Sequence, residues 1–155
     1  GWHLGEKQHW AKRSLWGEST RVPLILAGPG LAKGNCTRPV GLIDLYPTLS
    51  ELCGLGAPPQ TLEGHSLVPL LEKPDTVWPH PAITTFHQND HTIRTERWRY
   101  IRYANGDEEL YDRAVDPHEW HNLAAKPEHK GTIAELREHL PKVNAAAAPE
   151  RPPAR

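Results

Sequence analysis

The chain has 155 residues, with 18 Lys and Arg against 19 Asp and Glu, and a formal net charge of -1; this balance argues against bulk nucleic acid or an anionic membrane surface as a partner. Hydrophobic residues make up 37% of the chain, enough for a modest core, and 16 prolines exclude a fold built mostly of long helices. No apolar run reaches the roughly 18 residues of a membrane span, and two cysteines, Cys36 and Cys53, allow one disulfide but no thiolate metal cage.

The chain contains no methionine and opens at Gly1 without a leader, so it is expected to be a piece of a longer protein. Residues 1–21 mix glycine, tryptophan and charge without a period and predict an active-site-type loop with one helical turn. Val22-Pro23-Leu24-Ile25-Leu26-Ala27, closed by Gly28-Pro29-Gly30, predicts a strand buried on both faces, as in a parallel sheet. Asn35-Cys36-Thr37 is a formal glycosylation triplet in a polar loop. Residues 44–53 read as a helix capped by Asp44, with Pro47 in its first turn, a Leu45/Leu49/Leu52 stripe, Cys53 buried and Gly54 as stop. The proline-rich stretch 55–81 is a connector with one short helix at 66–72 and holds the candidate domain boundary.

Residues 82–113 predict an antiparallel sheet with strands 82–87, 92–103 and 108–111. Asn105-Gly106 gives a two-residue hairpin signal between the last two. In this register Arg94, Trp98 and Tyr100 share one face of the middle strand, and Ile93, Ile101 and Tyr103 the other. Arginines 94, 97, 99 and 102 fall on both faces, which predicts a helix on one side and solvent on the other, with the arginines solvated. Asp116-Pro117-His118-Glu119 fits a capping box and predicts a short helix over 117–123. Ile133, Leu136 and Leu140 predict a final helix over 130–141, and 144–155 read as a disordered tail.

Ten histidines raise the question of a metal. His118 and His121 would share a face of the predicted helix, but no HExxH pattern and no third ligand accompany them.

The motif-bearing segments taken together resemble one family. Gly1-Trp2-His3-Leu4-Gly5-Glu6-Lys7, then Trp10-Ala11-Lys12, then Glu18-Ser19-Thr20-Arg21-Val22-Pro23-Leu24-Ile25 resemble the type I sulfatases of the alkaline phosphatase superfamily, in the branch of iduronate-2-sulfatase and choline sulfatase. Asp44-Leu45-Tyr46-Pro47-Thr48-Leu49, Gly64-His65-Ser66-Leu67-Val68-Pro69-Leu70-Leu71, the 92–101 strand, and Glu109-Leu110-Tyr111-Asp112 with Asp116-Pro117 and Asn122-Leu123-Ala124 continue it in order. The resemblance covers about residues 1–125.

The resemblance implies an α/β architecture: the C-terminal part of an alkaline-phosphatase-like sulfatase core over 1–75, incomplete, followed by a small α+β subdomain with an antiparallel sheet over 76–143. It implies a hydrolase of sulfate esters on a sugar or other small organic sulfate, with Lys12 binding a sulfate oxygen. His3, His87 and His91 are candidate substrate contacts. The family's calcium ligands would lie just before Gly1. Its nucleophile, a cysteine in Cys-x-Pro-Ser-Arg converted to formylglycine, has no counterpart, because Cys36 precedes Thr37-Arg38-Pro39 and Cys53 precedes Gly54-Leu55-Gly56. The expected partners are the N-terminal remainder of the same enzyme and a sulfated small molecule or glycan, with no nucleic acid and no membrane. The chain alone is expected to be inactive. Two alternatives remain open: a phosphodiester or phosphonate monoester hydrolase of the same superfamily, and a non-enzymatic module binding a glycan or partner through Trp2, Trp10, Trp16 and Trp78.

Overall fold

The computed structural model describes residues 1–56 and 58–145. A four-stranded antiparallel meander dominates it, in the order β1 (Ala82–Thr85), β2 (His91–Arg94), β3 (Trp98–Arg102) and β4 (Glu108–Asp112). The stretch expected as one strand over 92–103 is thus two strands. A tight turn at 95–97 separates them: the Thr95 amide donates to the Trp98 carbonyl at 3.0 Å, and Thr95 Oγ1 accepts from the Trp98 amide at 3.0 Å. Folding the run back changes which residues share a face. Ile93 lies opposite Tyr100, and Tyr100 opposite Leu110, so the expected Ile93/Ile101/Tyr103 face does not form.

Each face of this sheet is covered. Ile93, Tyr100 and Leu110 pack with Ile133 and Leu136 of the last helix, α4 (Lys130–Arg137). Leu140, beyond its end, closes the same cluster. On the opposite face Ile101 and Tyr111 bury against Leu15, with Trp16 and Tyr103 beside them. The expectation of a solvated second face is corrected here: the N-terminal segment lies on it. Arg99 therefore points into a covered face and is 3% exposed, whereas Arg97 and Arg102 lie at the surface.

Upstream, a single helical turn, α1 (Gly17–Thr20), follows Trp16. Residues 22–27 form no strand, and Val22, Leu24 and Ile25 are exposed. A strand exists only as part of a ladder, and among the described residues none runs alongside this segment. The second helix, α2 (Leu45–Leu52), appears as expected with Pro47 in its first turn, but Leu49, Leu52 and Cys53 face outward. Its buried residue is Thr48, which donates to the Asp44 carbonyl and accepts from the Leu67 amide at 2.8 Å. The Asp44 carboxylate does not cap α2. It binds the Gly41 and His65 amides, each at 2.8 Å, and so fastens the helix to the turn leading into α3 (Val68–Glu72). Gly64 sits where a Cβ would fall 2.2 Å from the Ile43 carbonyl oxygen, so the two backbones meet only because it is glycine.

The helix expected over 117–123 does not form, and His118 and His121 share no helix face. Asp116 instead accepts from the Trp120 and His121 amides at 3.0 and 2.8 Å. Glu119 adopts φ +60 and turns under the sheet. The expected tail over 144–155 lies outside the described residues from 146 on. Asn144, at its start, holds His91.

Candidate functional site

The loop that carries the sequence-predicted site residues is closed on itself. The His3 amide donates to the Ala11 carbonyl at 2.9 Å, and the Gly5 amide to the His9 carbonyl at 3.1 Å. His3 is fully buried at the base of the loop. Its Nε2 lies 2.8 Å from Ser14 Oγ, Ser14 in turn donates to Ser19 Oγ at 2.9 Å, and the ring meets His9 and Trp16 edge-on. His3 Nδ1 is buried without a hydrogen-bond partner among the described residues. Lys12 is exposed, and its backbone carbonyl accepts from His9 Nε2 at 3.1 Å. Its side-chain ammonium makes no hydrogen bond or ion pair among the described residues.

The loop is anchored to the sheet at two places. The first is a carboxylate that sequence reasoning had assigned to a helix cap. Glu119, fully buried, accepts from the Gly17 amide at 2.9 Å, Arg99 Nε at 2.5 Å and Arg113 Nη1 at 2.8 Å. Arg99 also donates to the Leu15 carbonyl and Thr92 Oγ1, both at 3.1 Å. Two guanidiniums thus compensate one buried carboxylate. Burial disfavours the charged form of Arg99 and lowers its pKa, with Glu119 opposing that shift.

The second anchor is aromatic. Glu109 accepts from Trp16 Nε1 at 2.6 Å, Tyr111 OH at 2.7 Å and Tyr103 OH at 3.2 Å. Desolvation, reinforced by Glu109, pushes both tyrosine pKa values up. Against these rings sits the ammonium of Lys7, which donates to Tyr111 OH at 3.1 Å and to the Glu119 carbonyl. The motif segment Glu109-Leu110-Tyr111 was legible in sequence. Nothing in the local pattern marked Lys7 as its partner, because Lys7 and Tyr111 lie 104 positions apart.

The other two candidate histidines, His87 and His91, stand elsewhere. His91 is 3% exposed on the α4 side of the sheet, with Nδ1 at 2.9 Å from Thr85 Oγ1 and Nε2 at 2.7 Å from Asn144 Oδ1. His87 is exposed in the β1–β2 turn beside Phe86. The structure thus joins His3, His9 and Lys12 in one loop, and sets His91 against the opposite face of the sheet. Of the four tryptophans offered for glycan stacking, Trp2 and Trp10 expose their rings, while Trp16 is engaged by Glu109 and Trp78 packs against His65 and His80. Among the described residues no three His, Cys, Asp or Glu side chains gather where they could hold a metal ion, and Cys36 and Cys53 are both free and exposed.

Residues 5–146 match the family model for N-sulphoglucosamine sulphohydrolase, C-terminal. A sulfatase of Formosa agariphila is 44% identical over 146 residues, which are 94% of this chain and 29% of that protein. A choline-sulfatase of Rhizobium meliloti is 37% identical over 130 residues, 80% of this chain and 25% of that protein. The solved structure of BT4656 in complex with its substrate D-glucosamine-2-N,6-O-disulfate superposes with a TM-score of 0.72 at 28% identity, covering 89% of this chain and 31% of that one. The chain spans less than a third of the length of these relatives.

Proposed function

The chain belongs to the N-sulphoglucosamine sulphohydrolase C-terminal family, and from that premise we propose that it serves an enzyme hydrolysing sulfate esters of a sugar or another small organic sulfate. Residues 1–75 would complete the α/β catalytic domain, and 76–143 would form the C-terminal subdomain. The observation that carries the proposal is Lys12, an exposed ammonium directly after the loop closed by His3 and Ala11, at the position the family resemblance gives to a sulfate-binding lysine. The residues present do not fit a calcium site or a formylglycine, since the described carboxylates and histidines do not converge and neither cysteine has the required context. In this reading both groups are held by residues outside this chain, and no step here runs through them.

Lys12 would contribute charge. Its ammonium would meet a sulfate oxygen and gain in value as negative charge builds on the sulfate and leaving group, because a fixed donor does not have to reorganise during reaction. Trp2 and Trp10, exposed on the same segment, would offer faces to a sugar ring. His87 would approach from the β1–β2 turn, with its ring beside Phe86. His3 and His91 would have to give up burial or an existing side-chain bond to touch substrate.

In the full-length enzyme, Lys12→Ala is expected to lower kcat/KM by about 10²–10³ without changing Tm. Lys12→Arg should restore it only in part, since a planar fork delivers its donors with a different reach. Turnover of an aryl sulfate is the measurement, with a phosphonate monoester as comparison substrate. Retention of more than about a third of wild-type kcat/KM by Lys12→Ala would refute the assignment, and preference for the phosphonate would move the enzyme to the sister activity.

A further inference from the structure

We infer that Lys7 is a positioning residue: seating its ammonium among Trp16, Tyr111 and Trp120 fixes the loop to the sheet and so sets where Lys12 stands. The inference rests on the sulfate-binding reading of Lys12 and adds a second residue to it.

Lys7 is a half-buried cation in a cage. Its Nζ lies 4.5 Å from the centroid of the Tyr111 ring, 5.1 Å from Trp16 and 6.0 Å from Trp120. Three ring faces at these distances attract an ammonium through their quadrupoles. Tyr111 OH and the Glu119 carbonyl accept two of its protons. Glu109, bonded to Trp16 Nε1 and Tyr111 OH, pins two of the three walls. Burial disfavours the charged form of Lys7, and the carboxylates of Glu109, Glu119, Asp116 and Glu18 oppose that shift. The cage is assembled from three separate stretches: Trp16 before α1, Tyr111 on β4, and Trp120 in the turn that Asp116 closes.

The backbone at the tip of the loop shows that something holds it. Lys7 has φ +53 and its neighbour Gln8 has φ +57, a conformation that costs a side-chain-bearing residue on the order of 1–2 kcal/mol. Two consecutive non-glycine residues in that region need a compensating contact, and the cage supplies it. From the cage the constraint reaches Lys12 by a short path. Trp16, one wall, meets the ring of His9 edge-on at 6.3 Å, and His9 donates to the Lys12 carbonyl at 3.1 Å. Without the cation the loop keeps its backbone bonds, at its base through His3 and Ala11 and at its tip through Gly5 and His9, and loses the contact that seats the tip on the sheet.

The test is steady-state kinetics on the full-length enzyme with Lys7→Met, Lys7→Arg and Trp120→Leu, each made in the wild-type and the Lys12→Ala backgrounds. In the wild-type background Lys7→Met should lower kcat about tenfold or more, the scale expected when a reacting group is misplaced by an ångström or less, with KM changed less than about twofold. Lys7→Arg should recover most of the loss, because it keeps the charge. In the Lys12→Ala background Lys7→Met should change kcat by less than about twofold, the non-additivity of a residue that acts through another. If Lys7→Met does not fold, Trp120→Leu, which removes the half-exposed outer wall, should give a smaller fall of about threefold with the same dependence on Lys12. An equal loss in both backgrounds, or none in wild type, would overturn the inference and leave the Lys12 assignment standing. Wild-type kcat in Lys12→Ala would overturn both.

Discussion

Glu119 concentrates what the fold requires of one residue. Its carboxylate is the only anion hydrogen-bonded to Arg99 among the described residues, and its backbone carbonyl receives Lys7. Glu119→Gln keeps the shape and most hydrogen-bonding positions but leaves a guanidinium at 4% side-chain exposure without its counter-charge. It is expected to destabilise the chain by about 3–5 kcal/mol, read from denaturant midpoints, and the paired change Arg99→Met with Glu119→Leu should return a large part of that. A loss below about 1 kcal/mol for Glu119→Gln would show that the neutral acceptors of Arg99, the Leu15 carbonyl and Thr92 Oγ1, suffice. Sequence reasoning placed Glu119 in a capping box because the spacing from Asp116 fits one. The local signal was real, since Asp116 does accept from the amides that follow it. The tertiary ion pair then won, drawing Glu119 into a left-handed backbone that no helix can contain.

Elements were more legible than their partners. The antiparallel sheet, α2, α3 and α4 all lie in the regions where periodicity and turn residues put them, because those signals are local, but the sheet has four strands where three were expected and α4 ends at Arg137. The β3–β4 connection shows the limit. Asn105-Gly106 suggested a two-residue turn, yet the loop is Ala104, Asn105 and Gly106. It is closed by the Gly106 amide on the Tyr103 carbonyl at 2.9 Å and the Tyr103 amide on the Asp107 carbonyl at 3.0 Å. Gly106 has φ +93 and Asn105 is not left-handed, so this is the three-residue form with a glycine bulge. A Cβ at Gly106 meets nothing within 4 Å. Gly106→Ala should therefore cost only backbone strain, about 1 kcal/mol, measurable by thermal unfolding, and Gly106→Asn should cost less. A neutral Gly106→Ala would show that the turn relaxes to another type. The strand expected at 22–27 failed for the opposite reason: its composition demands neighbours on both sides, and composition does not say whether the same stretch of chain provides them.

For the whole molecule, burial couples stability to alkaline pH through two opposing sets of groups. Burial pushes Tyr100 up to about 12 and raises Tyr103 and Tyr111 further, with Glu108 and Glu109 adding to the shift. Unfolded tyrosines lose their protons near about 10. Above that pH the unfolded chain holds fewer protons than the folded one, so the stability these three residues contribute is complete below about 10 and is lost as pH rises toward their folded values. Lys7, lowered by burial, works in the other direction, and so do the buried guanidiniums of Arg94, pushed down to about 10, and Arg99. Between about pH 10 and pH 12 tyrosinate absorbance of the folded chain should lag that of the chain denatured in urea; coincident titrations would contradict the buried hydroxyl network. The same network has a consequence for synthesis. Lys7 meets Tyr111 across 104 positions, so the loop leaves the ribosome long before the strand that seats it. At about 5–20 residues per second, it waits on the order of 5–20 s with its strained tip unsupported, and the candidate sulfate loop is among the last parts of the nascent chain to take its final shape.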